Sequence, residues 1–201
     1  MSILAYHRVN VEQRSPEWFK WRQWKLGASY APTIMGENPF ENMEMLYHRI
    51  VDDISIEVNE DMQRGIDKES DAVAQINASY GESYKPACFE SLIYPFLIAS
   101  VDGWNGNDGI EIKCPRKFSK ELSLGKCPQK YYAQCQHCML VCDSNFWTYY
   151  EYISGGFNKV IVYRNDEYIS RLIEAEKEFH DRLMTFDCPI HEHQEEWSKL
   201  L

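Results

Sequence analysis

Positive charge is scarce in this sequence: 21 Lys and Arg stand against 31 Asp and Glu, for a formal net charge of −10. That balance excludes a protein that coats nucleic acid by bulk charge, but it leaves room for a local basic groove. Long apolar runs are missing too. None approaches the roughly 18 residues needed to cross a bilayer, so no membrane partner is expected. The opening stretch MSILAYHRVN lacks a basic segment followed by an apolar core, and no secretory leader is expected. No repeat, low-complexity tract or Pro/Gly/Ser-rich linker divides the chain, so residues 1–201 read as one domain. An even set of cysteines is also lacking. The seven present do not make the paired framework of a small secreted scaffold, and they point to a reducing cytosol.

Aromatic residues, by contrast, are plentiful at 14%, which excludes intrinsic disorder. Segment 15–26 opens on Ser-Pro and places Trp18, Trp21 and Lys25 at helical spacing, predicting a helix that Gly27 breaks. A short second helix then ends at Gly36. Further helices are predicted over 41–51 and 61–79, the latter amphipathic through Met62, Ile66, Val73 and Ile76. From Tyr84 the chain turns β-rich. SLIYPFLIAS is interrupted by Pro95, as at an edge strand or a break between two strands, and GIEIKC reads as a strand returning after the turn-forming DGWNGND. A helix over 128–143, the strands FWTYYEYI and NKVIVYR, and a charged helix over 166–184 follow. The order gives a helical part (1–83), a sheet core (84–165) and a C-terminal helix with its tail (166–201), together an α/β domain with a central mixed sheet.

Charge is unevenly spread. Lys113, Arg116, Lys117, Lys120, Lys126 and Lys130 are opposed within their stretch only by Glu121, whereas residues 166–196 carry ten acids and three bases. The C-terminal acids are expected to coat the outer surface.

The chemistry concentrates in Asp102, Glu111 and Lys113, spaced D-x8-E-x-K. Glu111 and Lys113 are two apart and so share one face of a strand. Two carboxylates near a hairpin end suit Mg2+, a hard cation that takes oxygen ligands. A lysine beside them can orient or deprotonate the attacking water, which completes the parts for metal-assisted phosphodiester hydrolysis. A surface strand with an ordinary ion pair is the plain alternative.

This arrangement resembles the PD-(D/E)xK nuclease superfamily, with Val101-Asp102 where that family has Pro-Asp. Five ordered blocks are similar to its lambda-exonuclease-like branch, the YqaJ-type viral recombinases: WFKWRQWKLGAS at 18–29, RGIDKE at 64–69, ASVDG at 99–103, IEIKCP at 110–115 and YYAQCQHCM at 131–139. The resemblance implies a restriction-endonuclease-like core with helices flanking the sheet. It implies that Asp102, Glu111 and the backbone carbonyl of Ile112 ligate Mg2+, with Mn2+ as a substitute, and that Glu69 serves a second ion. Lys113 would position water, and Gln134 would bond a phosphate or a water. Arg22, Ser29 and Ser100 would form a pocket for a terminal 5′-phosphate, for which a guanidinium and hydroxyls are apt donors. The plain alternatives are a solvated helix residue for Glu69, a partly buried amide for Gln134, an exposed helix residue for Arg22 and an N-cap for Ser29.

The implied function is a Mg2+-dependent 5′→3′ exonuclease of phage or prophage origin in a bacterial cytoplasm. It would degrade one strand of 5′-phosphorylated double-stranded DNA to mononucleotides, as a homotrimeric ring working with a single-strand annealing protein. A structure- or sequence-specific endonuclease, or a non-catalytic DNA-binding protein, are the alternatives. Cys135, Cys138 and Cys142 share a helix face with Met139 and read as core rather than as an iron–sulfur run. His191 and His193 read as an exposed tail, and Trp18 and Trp21 as core packing ahead of base stacking.

Overall fold

The computed structural model describes residues 5–55 and 57–188; His191 and His193 lie outside the described residues. In chain order the elements are β1 (Tyr6–Val9), α1 (Pro16–Arg22), β2 (Leu26–Gly27), a 3₁₀ turn (Ala28–Tyr30), α2 (Ala31–Ile34), α3 (Met43–Val51), α4 (Glu60–Tyr80), β3 (Lys85–Ser91), β4 (Leu97–Trp104), β5 (Gly109–Lys113), α5 (Lys120–Ser123), α6 (Gln129–Val141), β6 (Phe146–Ile153), β7 (Gly156–Tyr163) and α7 (Asp166–Thr185). The strands form one mixed sheet in the order β1-β3-β4-β5-β6-β7, with β2 added alongside β4. Pairing is antiparallel except between β5 and β6 and between β2 and β4. The chain between β5 and β6 carries α5 and the longer α6, and so forms the crossover that a parallel pair requires.

The N-terminal part is less helical than its sequence suggests. The helix begun by the Ser15 N-cap stops at Arg22, because Trp24 adopts a left-handed φ of 61° and turns the chain before Gly27 is reached. Leu26 and Gly27 then pair with Leu97 and Ile98 as β2, which buries Leu26 completely. β1 is likewise an edge strand, held by Tyr6 packing edge-on against Phe89. Pro95 falls in the turn between β3 and β4, so SLIYPFLIAS is the end of one strand and the start of another.

Two cores follow from the period-2 alternation of the strands. Leu97, Ala99, Val101, Trp147 and Tyr149 pack with residues of α6 and α7 in the larger one. Ile110, Ile112 and Tyr150 pack with Ala72, Val73 and Ile76 of α4 in the other. Met62 and Ile66, expected in the buried stripe of α4, are exposed, since only the C-terminal half of that helix covers the sheet. Cys135, Cys138 and Cys142 are buried beside Met139 in the larger core, and burial pushes the Cys142 thiol well up. The acids of α7 do not all face outward. Glu176 is fully buried against His137, which lies 2.5 Å away through Nδ1, while His137 Nε2 lies 3.0 Å from the Ile98 carbonyl.

One local feature creates the site. β4 and β5 are paired only at Gly103–Ile110 and Trp104–Gly109, after which the two strands diverge into a fork. Gly109 at its root is required, because a Cβ there would sit 2.0 Å from the Trp147 ring.

Candidate active site

Asp102 is the first β4 residue inside the fork. Its Oδ2 accepts the backbone N–H of Ile112 at 2.7 Å, in place of the ladder bond lost by divergence. A strand residue's N–H and C=O point toward the same neighbour, so the Ile112 carbonyl is also directed to the β4 side. Glu111, 2% exposed, faces away from the α4 core, and its Oε1 takes both Lys113 Nζ at 2.6 Å and Gln134 Nε2 at 2.7 Å. Gln134 reaches it from α6. Glu69 comes from α4 and pairs with Arg14 at 2.7 Å. The structure thus brings Asp102, Glu111, Lys113, Glu69 and Gln134 to one place from four elements.

The electrostatics describe a crowd of acids. Burial, then the neighbouring charges of Glu111 and Glu69, hold the Asp102 carboxyl well above the ordinary carboxylate range, with Lys113 only partly offsetting them. Burial would lower the Lys113 pKa, yet Glu111 and Asp102 outweigh it and push it up. Burial and the charges of Asp102 and Glu69 push the adjacent Cys114 thiol up to about 11. An Asp102 carboxyl raised in this way by Glu111 and Glu69, together with a backbone carbonyl, makes the hard-oxygen set that suits a divalent cation.

Beside the fork lies a second cluster. Ser100 is two residues before Asp102 on β4, and its hydroxyl accepts the Trp18 indole N–H at 2.8 Å and Arg22 Nη1 at 3.4 Å. The Arg22 guanidinium stacks on Trp18 with its carbon 4.4 Å from the ring centroid and lies 5.8 Å from that of Tyr30. Gly27 leaves it room, since a Cβ there would meet Arg22 Nη2 at 2.8 Å. Ser29, by contrast, is exposed in the 3₁₀ turn, and no hydrogen bond joins it to Arg22 or Ser100.

The basic stretch divides. Lys113, Lys117 and Lys130 line a groove of about 450 Å³ with Tyr131, Ser119 and Glu151. The Tyr131 ring carries Lys113 at 5.1 Å and Lys130 at 4.9 Å. Arg116 is diverted to Glu60 and Asp61 of α4, and Lys126 lines a different surface.

The model of the YqaJ-like viral recombinase domain matches residues 17–145. The chain belongs to that family. Among solved structures, this YqaJ-like chain is similar to an alkaline exonuclease, LHK-Exo, from Laribacter hongkongensis. The identity is 22% and the TM-score 0.75, over 93% of this chain and all of that one. A complex of LHK-Exo with dAMP gives the same values. A phage-related exonuclease from Haemophilus somnus 129PT is similar at 15% identity and TM-score 0.61, covering 80% of this chain and 95% of the other. These likenesses establish the fold, a mixed sheet flanked by helices. No curated protein matches in sequence. Among the described residues no helix is long and apolar enough to cross a membrane.

Several residues of the site escape a reading of the YqaJ-like sequence. Trp18 and Trp21 are half-buried rather than core, because α1 buries none of its residues; their indole N–H groups serve Ser100 and Glu90. The i, i+4 spacing of Trp18 and Arg22 is the signal that could have paired them. Arg14, with a φ of 70°, gave no signal for its contact with Glu69 across 55 positions.

Proposed function

We propose that this protein is a Mg2+-dependent exonuclease that degrades one strand of linear double-stranded DNA from a 5′-phosphorylated end, releasing 5′-mononucleotides. The observation that carries the reading is the convergence of Asp102, Glu111, Lys113, Gln134 and Glu69 in the fork between β4 and β5, beside the cluster of Ser100, Arg22 and Trp18. The exonuclease names of the similar structures, and dAMP bound to one of them, support it.

Asp102, Glu111 and the Ile112 carbonyl would hold one Mg2+, with Mn2+ as a substitute, and Glu69 would serve a second ion. Bound there, the cation supplies Lewis-acid polarisation of the phosphoryl group. The chain's own residues do the rest. Lys113, anchored by Glu111, orients the attacking water and stabilises negative charge developing on the phosphoryl oxygens. Gln134 fixes the Glu111 carboxylate from the opposite side. Arg22, flattened against Trp18, offers the planar fork that fits a terminal phosphate, and Ser100 adds a hydroxyl. Ser100 and Asp102 are two strand residues, about 7 Å, apart. That is the length of one nucleotide of backbone, as removal of single nucleotides requires. Ser29 joins this pocket only if the DNA end draws the 3₁₀ turn inward. A homotrimeric ring around the duplex and a single-strand annealing partner belong to the same proposal, as does a phage or prophage origin.

The test incubates enzyme and Mg2+ with linear 5′-phosphorylated duplex and, separately, with covalently closed circles. Degradation of the linear form to mononucleotides with intact circles is expected. Nicked circles would establish the endonuclease alternative, and binding without digestion would establish a non-catalytic DNA-binding protein.

A further inference from the structure

A second constellation of ligand atoms lies where α7 ends against α3. Glu44 and His48 are one turn apart on α3 and so share a face. A carboxylate oxygen of Glu44, a ring nitrogen of His48 and the Cys188 sulfur all lie within 4.8 Å of one another. The thiol reaches this point because Phe186 takes a left-handed φ of 55° at the end of α7, a conformation uncommon for a bulky residue. Trp24 packs edge-on against that ring at 5.9 Å. The imidazole is already oriented: Nδ1 lies 3.3 Å from Asp52 Oδ2, which leaves Nε2 directed at Cys188 Sγ, 3.6 Å away.

We propose that Glu44, His48 and Cys188 bind Zn2+ at a site separate from the nuclease centre, with Asp52 as the carboxylate that positions the imidazole. The donor set selects the metal. A thiolate and an imidazole with one carboxylate suit zinc, whereas Mg2+ prefers oxygen alone. An imidazole that ligates through one nitrogen almost always donates its other N–H to a carboxylate or carbonyl, and Asp52 supplies that acceptor. Among the described residues three ligands are offered, and the fourth tetrahedral position is left to water. On binding, the zinc–sulfur bond replaces the sulfur–hydrogen bond and the proton passes to solvent. No electron moves. The ion would clasp the end of α7 to α3. In sequence, His191 and His193 follow Cys188 by three and five residues; they lie outside the described residues, and the three ligands stand without them.

The test uses the full chain, reduced and stripped with chelator, in Mg2+ sufficient to fill the nuclease centre. Calorimetric titration with Zn2+ is expected to show one tight equivalent that survives this Mg2+. Titration with Co2+ is expected to give a near-ultraviolet thiolate-to-cobalt band that is lost in Cys188→Ser and His48→Ala and kept in Cys114→Ser. Asp52→Asn is expected to weaken Zn2+ binding by about 10–100-fold while keeping its stoichiometry. Circular dichroism checks each fold, and His48→Ala, at a half-exposed position, serves if Cys188→Ser does not fold. Absence of an Mg2+-resistant equivalent, or a cobalt band that persists without Cys188, would overturn the site. Unchanged affinity in Asp52→Asn would overturn the orienting role.

Discussion

The indole N–H of Trp18 donates to the Ser100 hydroxyl at 2.8 Å and so ties α1 to β4 two residues from Asp102. The same ring is the platform on which Arg22 lies. Trp18 therefore orients both groups proposed to receive the terminal phosphate, although it carries no charge itself. Trp18→Phe keeps a platform and removes the hydrogen bond. A bond of this kind is worth about 0.5–1.5 kcal/mol, so the preference for 5′-phosphorylated over 5′-hydroxyl ends should fall roughly two- to ten-fold. Competition between the two duplexes measures it, and an unchanged ratio would remove Trp18 from the pocket.

Gly27 makes a sharper test of the guanidinium's seat. A methyl group at this position meets Arg22 Nη2 at 2.8 Å and Nη1 at 3.1 Å, both at the free end of a flexible side chain. The fold can absorb Gly27→Ala by moving that end, and the melting temperature should change little. The phosphate preference should fall toward that of Arg22→Ala. Arg22→Lys is expected to fail as well, since an ammonium offers no planar fork. A Gly27→Ala enzyme with full preference would show that Arg22 works from another position.

Lys113 and Gln134 share one oxygen of Glu111, so their loss should separate chemistry from binding. Lys113→Ala removes the group proposed to stabilise developing charge, which typically costs on the order of 10²–10³ in kcat. Gln134→Ala frees one face of Glu111 and should cost less. Duplex binding, followed by fluorescence anisotropy in Ca2+ to suppress turnover, should persist in both. Full hydrolysis by Lys113→Ala would sink the mechanism.

How far the site could be read from the sequence depended on period. Glu111 and Lys113, like Ser100 and Asp102, are two apart on a strand, and alternation alone places each pair on a common face. The fork itself was not legible: it arises because β4 and β5 stop pairing after two positions, and no residue type announces that. β1 and β2 leave no mark in the sequence, because strands of four and two residues carry no periodic signal, and they exist by virtue of the neighbours they pair with. Met62 and Ile66 fitted a helical stripe that the sheet is too short to cover. Arg116 looked like part of a basic groove, but Glu60 and Asp61 on a distant helix claim it. Glu176 was hidden among exposed acids because what buries it, His137, lies 39 positions away.

That buried pair gives the protein a pH-dependent component of stability. His137 sits between two acceptors, Glu176 Oε1 and the Ile98 carbonyl, which suits an imidazolium donating from both nitrogens. Burial alone would lower its pKa, but the Glu176 charge and the carbonyl outweigh burial and hold it above the ordinary value. A group whose pKa is raised on folding stabilises the native state fully below its unfolded pKa, about 6.5 for histidine. The contribution is then lost as pH rises through the folded value. The melting temperature should therefore decline above neutrality more steeply in the native sequence than in Glu176→Gln. Removing one partner leaves the other buried and uncompensated, so His137→Ala should cost about 3–5 kcal/mol in denaturant melts. His137→Leu combined with Glu176→Met removes both charges and fills the volume, and should cost less than either single truncation. If the double variant proved the least stable of the set, the pair would be a net source of stability rather than a buried conflict held in balance.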